Sequence, residues 1–133
     1  MAKKILIIDD EPSASNLYKE RFEFSEFEVK QAWAGEGSVQ MAEEFQPSVI
    51  LLDLMLPQMS GEEVLDQLRS NPKTKNIPVI VWTALFQQEA ERAKVEQKAD
   101  DYVIKTEIMP GQLVKKVEEI MGKPGDANSD QKT

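Results

Sequence analysis

Asp9 and Asp10 end one run of apolar residues, Asp53 ends a second, Thr83 a third and Lys105 a fourth. Carboxylates gathered in one place repel each other and need a cation or raised pKa values to coexist. Oxygen ligands without histidine or cysteine favour a hard divalent cation. Mg2+ fits best, with Mn2+ as its substitute, because it accepts few protein carboxylates and keeps several waters. Lys105 would add a second positive point and Thr83 a hydroxyl donor. Such a set suits an incoming phosphoryl group, with a carboxylate as its covalent acceptor.

The rest of the composition narrows the chemistry. The sequence has no histidine and no cysteine. Ser-His-Asp and Cys-His catalytic sets are therefore excluded, as are disulfides and thiolate metal sites. Any phosphohistidine in the reaction must sit on another molecule. The formal net charge of −8 repels nucleic-acid phosphates, so no direct nucleic-acid binding is expected of this chain. The apolar run at residues 5–8 is too short for a signal peptide or a membrane span. A cytoplasmic protein without membrane contact is expected. With 133 residues, 41% hydrophobic and 30% charged, the chain fits one globular domain with a real core. That domain is expected over residues 1–121, with 122–133, nearly free of apolar side chains, as a disordered tail or the start of a linker.

The elements that must position these residues follow from periodicity. Apolar runs at residues 5–8, 49–52, 77–82 (broken only by Pro78) and 102–104 suit strands buried on both faces, and the alternating stretch 27–32 suits an edge strand. Between them lie helical stretches at 12–24, 37–45, 61–69, 85–97 and 110–121. The first places Ala14, Leu17, Tyr18 and Phe22 near one face, and the fourth has only Ala90 and Ala93 as a small apolar stripe. Trp33 and Trp82 are expected to be packing residues, the methionines mostly core, and Gly35-Glu36-Gly37 a helix-start turn. Alternation of strand and helix predicts an α/β fold with a parallel sheet and helices on both faces. Functional crevices in such sheets lie at the carboxyl ends of the strands, where all the residues named above fall. In strand order 2-1-3-4-5, Asp10 and Asp53 would face each other, with Thr83 and Lys105 closing the other side.

Taken singly, each residue has a plainer reading: a helix cap for Asp9 and Asp10, a loop acid, a second cap, a solvated lysine. Their coincidence at one sheet edge favours a site. Moreover, the stretch Asp53-Leu-Met-Leu-Pro57-Gln-Met59-Ser-Gly61, the strand end Val81-Trp-Thr83-Ala84 and the segment Ala99-Asp-Asp-Tyr102-Val-Ile-Lys105 resemble the response regulator receiver domain of two-component signal transduction, in its stand-alone form. The resemblance covers residues 3–121 and implies a flavodoxin-like doubly wound sheet of five parallel strands. It implies that Asp53 accepts a phosphoryl group from a sensor histidine kinase or histidine phosphotransfer protein. It also implies that Asp10, Asp53 and the backbone carbonyl of Met55 bind Mg2+, with Asp9 helping through water. Lys105 would pair with the phosphoryl oxygens, Thr83 would move inward to donate to them, and Tyr102 would change rotamer with Thr83. The output would be an altered surface around the fourth helix, fifth strand and fifth helix, read by a downstream protein.

Neighbouring readings fit less well. A haloacid-dehalogenase-type phosphatase needs an acid at position 55, which is Met, and a flavodoxin needs a hydroxyl-rich loop where Asp9 and Asp10 stand. A phosphoacceptor protein rather than an enzyme is expected. The alternatives are a pseudo-receiver acting without phosphate and a receiver fragment of a larger regulator. Four positions depart from the family, in three places. Thr106 stands where Pro usually follows the lysine, and Lys98 where Gly usually ends the fourth helix. A left-handed turn is costly for Lys, so that connection is expected to differ. Met55 and Leu85 are apolar beside the site, which should hinder attacking water and prolong the acyl phosphate. Timing phosphoryl loss after Met55→Asn and Leu85→Glu tests this, and an unchanged lifetime would sink it.

Overall fold

The computed structural model describes residues 3–84 and 88–122; Leu85 and the segment from 123 onward lie outside the described residues. Five strands, β1 (Lys3–Ile8), β2 (Phe27–Ala32), β3 (Val49–Leu52), β4 (Val79–Thr83) and β5 (Asp101–Ile104), form one parallel sheet in the order β2-β1-β3-β4-β5. Helices α1 (Pro12–Phe24), α2 (Ser38–Phe45), α3 (Gly61–Ser70), α4 (Glu89–Glu96) and α5 (Pro110–Met121) connect and follow them, with a 3-10 turn over Lys105–Glu107.

Every residue of β3 and β4 is buried, because both faces of the sheet are covered. Successive side chains point to opposite faces, so each strand divides its residues between two cores. Leu6, Ile8, Ile50, Leu52, Val79 and Val81 pack beneath α2, α3 and α4. Ile5, Ile7, Val49, Leu51, Ile80 and Trp82 pack beneath α1 and α5. Each fully buried side chain of this size stabilises the fold by about 1.5–3 kcal/mol.

Helix starts follow local chemistry. Pro12 and Pro110 occupy first turns, where a missing N–H leaves nothing unpaired. Ser60 Oγ accepts from Glu63 N at 3.2 Å, while Glu63 Oε1 accepts from Ser60 N at 3.0 Å, a reciprocal cap on α3. Gly37, at φ 84°, makes the turn into α2.

Several side chains depart from the periodic reading. α1 buries Ser15, Tyr18 and Phe22, and Leu17, one position off that stripe, is 55% exposed. Trp33 lies past the end of β2, beyond the reach of a covering layer, and is exposed rather than packed. Met55 and Met109 are exposed for the same reason, since both sit in loops. In α4, Ala90 and Ala93 face solvent and Val95 is the residue that reaches the core. β4 starts at Val79 because Pro78 has no N–H to donate, although its carbonyl accepts from Ile50 N at 2.9 Å. Lys98 avoids a left-handed turn: it is not among the residues with positive φ, and Lys98 N and Ala99 N both donate to Val95 O. Arg69 secures that connection, donating from Nε to Lys98 O at 2.7 Å and from Nη1 to Ile77 O at 2.8 Å.

Candidate functional site

Parallel register brings the acids together. Ile8 of β1 pairs with Leu52 of β3, so Asp9 and Asp53 leave the sheet side by side. Backbone bonds hold them there: Asp53 N donates to Ile8 O and Asp9 N to Ala32 O, both at 3.0 Å. Thr83 is the last residue of β4, and Lys105 follows the last residue of β5.

The side chains interlock. Asp53 is 4% exposed; its Oδ1 accepts from Thr83 Oγ1 at 2.8 Å and from Met55 N at 3.0 Å. Its Oδ2 accepts from Lys105 Nζ at 3.1 Å. The same ammonium donates to Asp9 Oδ2 at 2.7 Å, and Asp9 Oδ1 accepts from Glu11 N at 3.0 Å. Asp9 is fully buried and Asp10 exposed, yet one carboxylate oxygen from each of Asp9, Asp10 and Asp53 lies within 4.8 Å of the others. The lysine thus lies closer to Asp9 than to Asp53, and Asp10, expected to face Asp53, lies within the same carboxylate cluster.

Burial pushes the Asp9 carboxyl up, against the opposing pull of the Lys105 hydrogen bond and the Glu11 amide. For Lys105 burial works downward, but the hydrogen bond to Asp9 and the charges of Asp53 and Asp9 outweigh it and hold the ammonium above its ordinary value. Both shifts favour bound protons, through burial for Asp9 and through the neighbouring carboxylates for Lys105. Oxygen donors in this number suit a hard divalent cation.

Two structural features around the acids explain positions that motif spacing left bare. A Cβ on Gly61 would fall 2.2 Å from Asp53 O and 2.5 Å from Leu54 Cα, so only glycine lets α3 press against the Asp53 loop. Tyr102 is buried, with the Arg92 guanidinium 4.3 Å from its ring centroid. The contacts of Arg92 with Tyr102 and of the Trp82 ring with Lys105 had no signal in the sequence, since they join residues of different elements.

Comparison with known proteins agrees with this geometry. A family model described as "Response regulator receiver domain" matches residues 5–118. The chain is 40% identical over 102 residues to the DNA-binding dual master transcriptional regulator RpaA of Synechocystis, covering 77% of this chain and 42% of that protein. It is 36% identical over 121 residues to the transcriptional regulatory protein SrrA of Staphylococcus aureus, covering 91% of this chain and 48% of that one. The chain therefore spans less than half the length of these relatives. Among solved structures, the CheY-like response regulator receiver domain protein of Methanospirillum hungatei superposes with a TM-score of 0.82 at 26% identity, covering 91% of this chain and 94% of that one. Among the described residues, no helix is long and apolar enough to cross a membrane.

Proposed function

The chain belongs to the response regulator receiver domain family of two-component signalling, and on that footing we propose that it is a switch phosphorylated on Asp53. The observation that carries this reading is the setting of Asp53, with Lys105 on one carboxylate oxygen and the Thr83 hydroxyl and Met55 amide on the other. The donor is a phosphohistidine on a sensor histidine kinase or histidine phosphotransfer protein, since this chain has no histidine.

Asp10, Asp53 and the Met55 carbonyl would hold Mg2+, or Mn2+, with Asp9 assisting through water; the three clustered carboxylates, two of them paired with the Lys105 ammonium, fit a divalent ion. When bound, the ion neutralises charge on the phosphoryl oxygens. Lys105 shifts from the Asp53 carboxylate to a phosphoryl oxygen. Thr83 gives up its bond to Asp53 Oδ1 and donates to another phosphoryl oxygen. Tyr102 changes rotamer as Thr83 moves, and the surface of α4, β5 and α5 changes with it. Moving a two-state equilibrium from 1:99 to 99:1 takes about 5.5 kcal/mol, and a phosphoryl group that forms one to three charge-assisted bonds approaches this. The protein is a phosphoacceptor that assists its own phosphorylation and slow dephosphorylation, not an enzyme acting on a separate substrate.

The site works in the cytoplasm, and the output is a protein contact. The net charge of −8 weighs against contact of this chain with nucleic acid. A second reading, that the chain is the receiver part of a longer regulator, is favoured by its coverage of only 42% and 48% of RpaA and SrrA. Amide NMR spectra with Mg2+, before and after adding the phosphoryl mimic beryllofluoride, test the switch. Shifts at Thr83, Tyr102 and along α4, β5 and α5 are expected; shifts confined to the acid cluster would refute a transmitted change.

A further inference from the structure

Trp82 stands next to Thr83 in β4 but points to the other face of the sheet, where it is fully buried. Among the described residues its Nε1 has no partner at full hydrogen-bond geometry; its polar neighbour is Tyr18, whose ring packs edge-on against it with centroids 4.7 Å apart at 69°. A buried donor without a good acceptor is destabilising, and an aliphatic side chain would fill this layer without that penalty. What the indole adds is its π face, and Lys105 Nζ lies 4.4 Å from the ring centroid. That distance is well inside the range of a cation–π contact, which strengthens when the ammonium is desolvated. Here the Lys105 side chain is 13% exposed.

We propose that Trp82, propped by Tyr18, is a positioning residue that seats the Lys105 ammonium at the phosphorylation site. The inference rests on the reading of Asp53 as the phosphoacceptor. A lysine is a point charge on a flexible four-carbon stem, so carboxylate partners alone do not define its place. Asp9 and Asp53 hold the ammonium from two sides, and the indole face limits it on a third. When Asp53 becomes an acyl phosphate, one carboxylate contact is altered and the aromatic seat remains. The ammonium then meets the phosphoryl oxygens without a search through its rotamers.

The test compares Trp82→Leu with Trp82→Phe, each in the wild-type and in a Lys105→Met background. Readouts are the rate of Asp53 phosphorylation by a small phosphodonor with Mg2+ and the affinity for beryllofluoride. Trp82→Leu should slow phosphorylation roughly 5- to 30-fold, the range expected for a desolvated cation–π contact. Trp82→Phe, which keeps a π face, should recover much of the rate. In the Lys105→Met background Trp82→Leu should change nothing further, whereas a packing defect would slow both backgrounds alike. Equal loss in Leu and Phe variants, no loss in either, or undiminished loss without Lys105 would overturn the seat. Should the wild-type protein accept no phosphoryl group, the reading of Asp53 fails and the seat is judged by fluorescence. In a Trp33→Phe protein, Lys105→Met should shift the Trp82 emission, and an unshifted spectrum would overturn the contact.

Discussion

Replacing Lys105 by Met should destabilise the metal-free protein strongly, because a single ammonium serves two buried carboxylates. Nζ lies 2.7 Å from Asp9 and 3.1 Å from Asp53, and the three side chains are 13%, 0% and 6% exposed. At an effective dielectric constant of about 20, each contact is worth roughly 5–6 kcal/mol before desolvation is subtracted. Desolvating the ammonium offsets much of that, and measured losses on breaking one side of a buried pair are about 3–5 kcal/mol. For a domain of this size such a loss lowers Tm by roughly 10–25 °C. The assay is thermal and urea unfolding with a chelator present. Adding Asp9→Asn to Lys105→Met should restore a large part of the loss, since it removes the carboxylate left buried and unpaired. Mg2+ should also restore part of it, because a ligand that binds only the folded state stabilises by mass action. A loss below about 1 kcal/mol, or no recovery from Asp9→Asn, would show that the pocket does not depend on this charge and would refute the reasoning.

The Asp9 carboxyl titrates above its ordinary 3.8 because it is buried, so the folded state binds that proton more tightly than the unfolded state. In chelator, the wild-type protein should therefore gain stability relative to Asp9→Asn as pH falls from the folded pKa of Asp9 towards 3.8; a pH-independent difference in urea unfolding would contradict this. Gly61→Ala places a methyl group 2.2 Å from Asp53 O, which should cost about 1–3 kcal/mol in unfolding experiments and slow phosphorylation by moving the acceptor loop. Glu26 holds φ 71° just after α1, a position that favours glycine, so Glu26→Gly should stabilise by about 1 kcal/mol, whereas Gln46→Gly at φ 50° should gain little because it forfeits hydrogen bonds to Glu43 O and Lys73 O.

The central strands were legible because they are buried on both faces: residues 49–52 and 79–82 are unbroken apolar segments that fit little else. The site was legible as a set because open parallel sheets expose chemistry at one edge, and Asp53, Thr83 and Lys105 all end or follow strands. Which of two adjacent acids turns inward was not legible. Asp9 and Asp10 are the same residue type, and the register of Ile8 against Leu52 together with the reach of Lys105 sets Asp9 in the pocket. The burial of α4 escaped periodicity as well, since Val95 alone reaches the core and the small residues Ala90 and Ala93 lie outside it. Contacts between distant elements, such as Trp82 with Lys105 or Arg69 with Lys98, carry no local signature and emerge only from the packed sheet.

The most direct test of the account is the intact mass of the protein after incubation with a small phosphodonor and Mg2+, beside an Asp53→Asn control. The account predicts the addition of one phosphoryl group that is absent without Mg2+ and absent from the control. An unchanged mass in the wild-type protein, together with failure to bind beryllofluoride, would contradict it and leave a receiver fold that acts without phosphate.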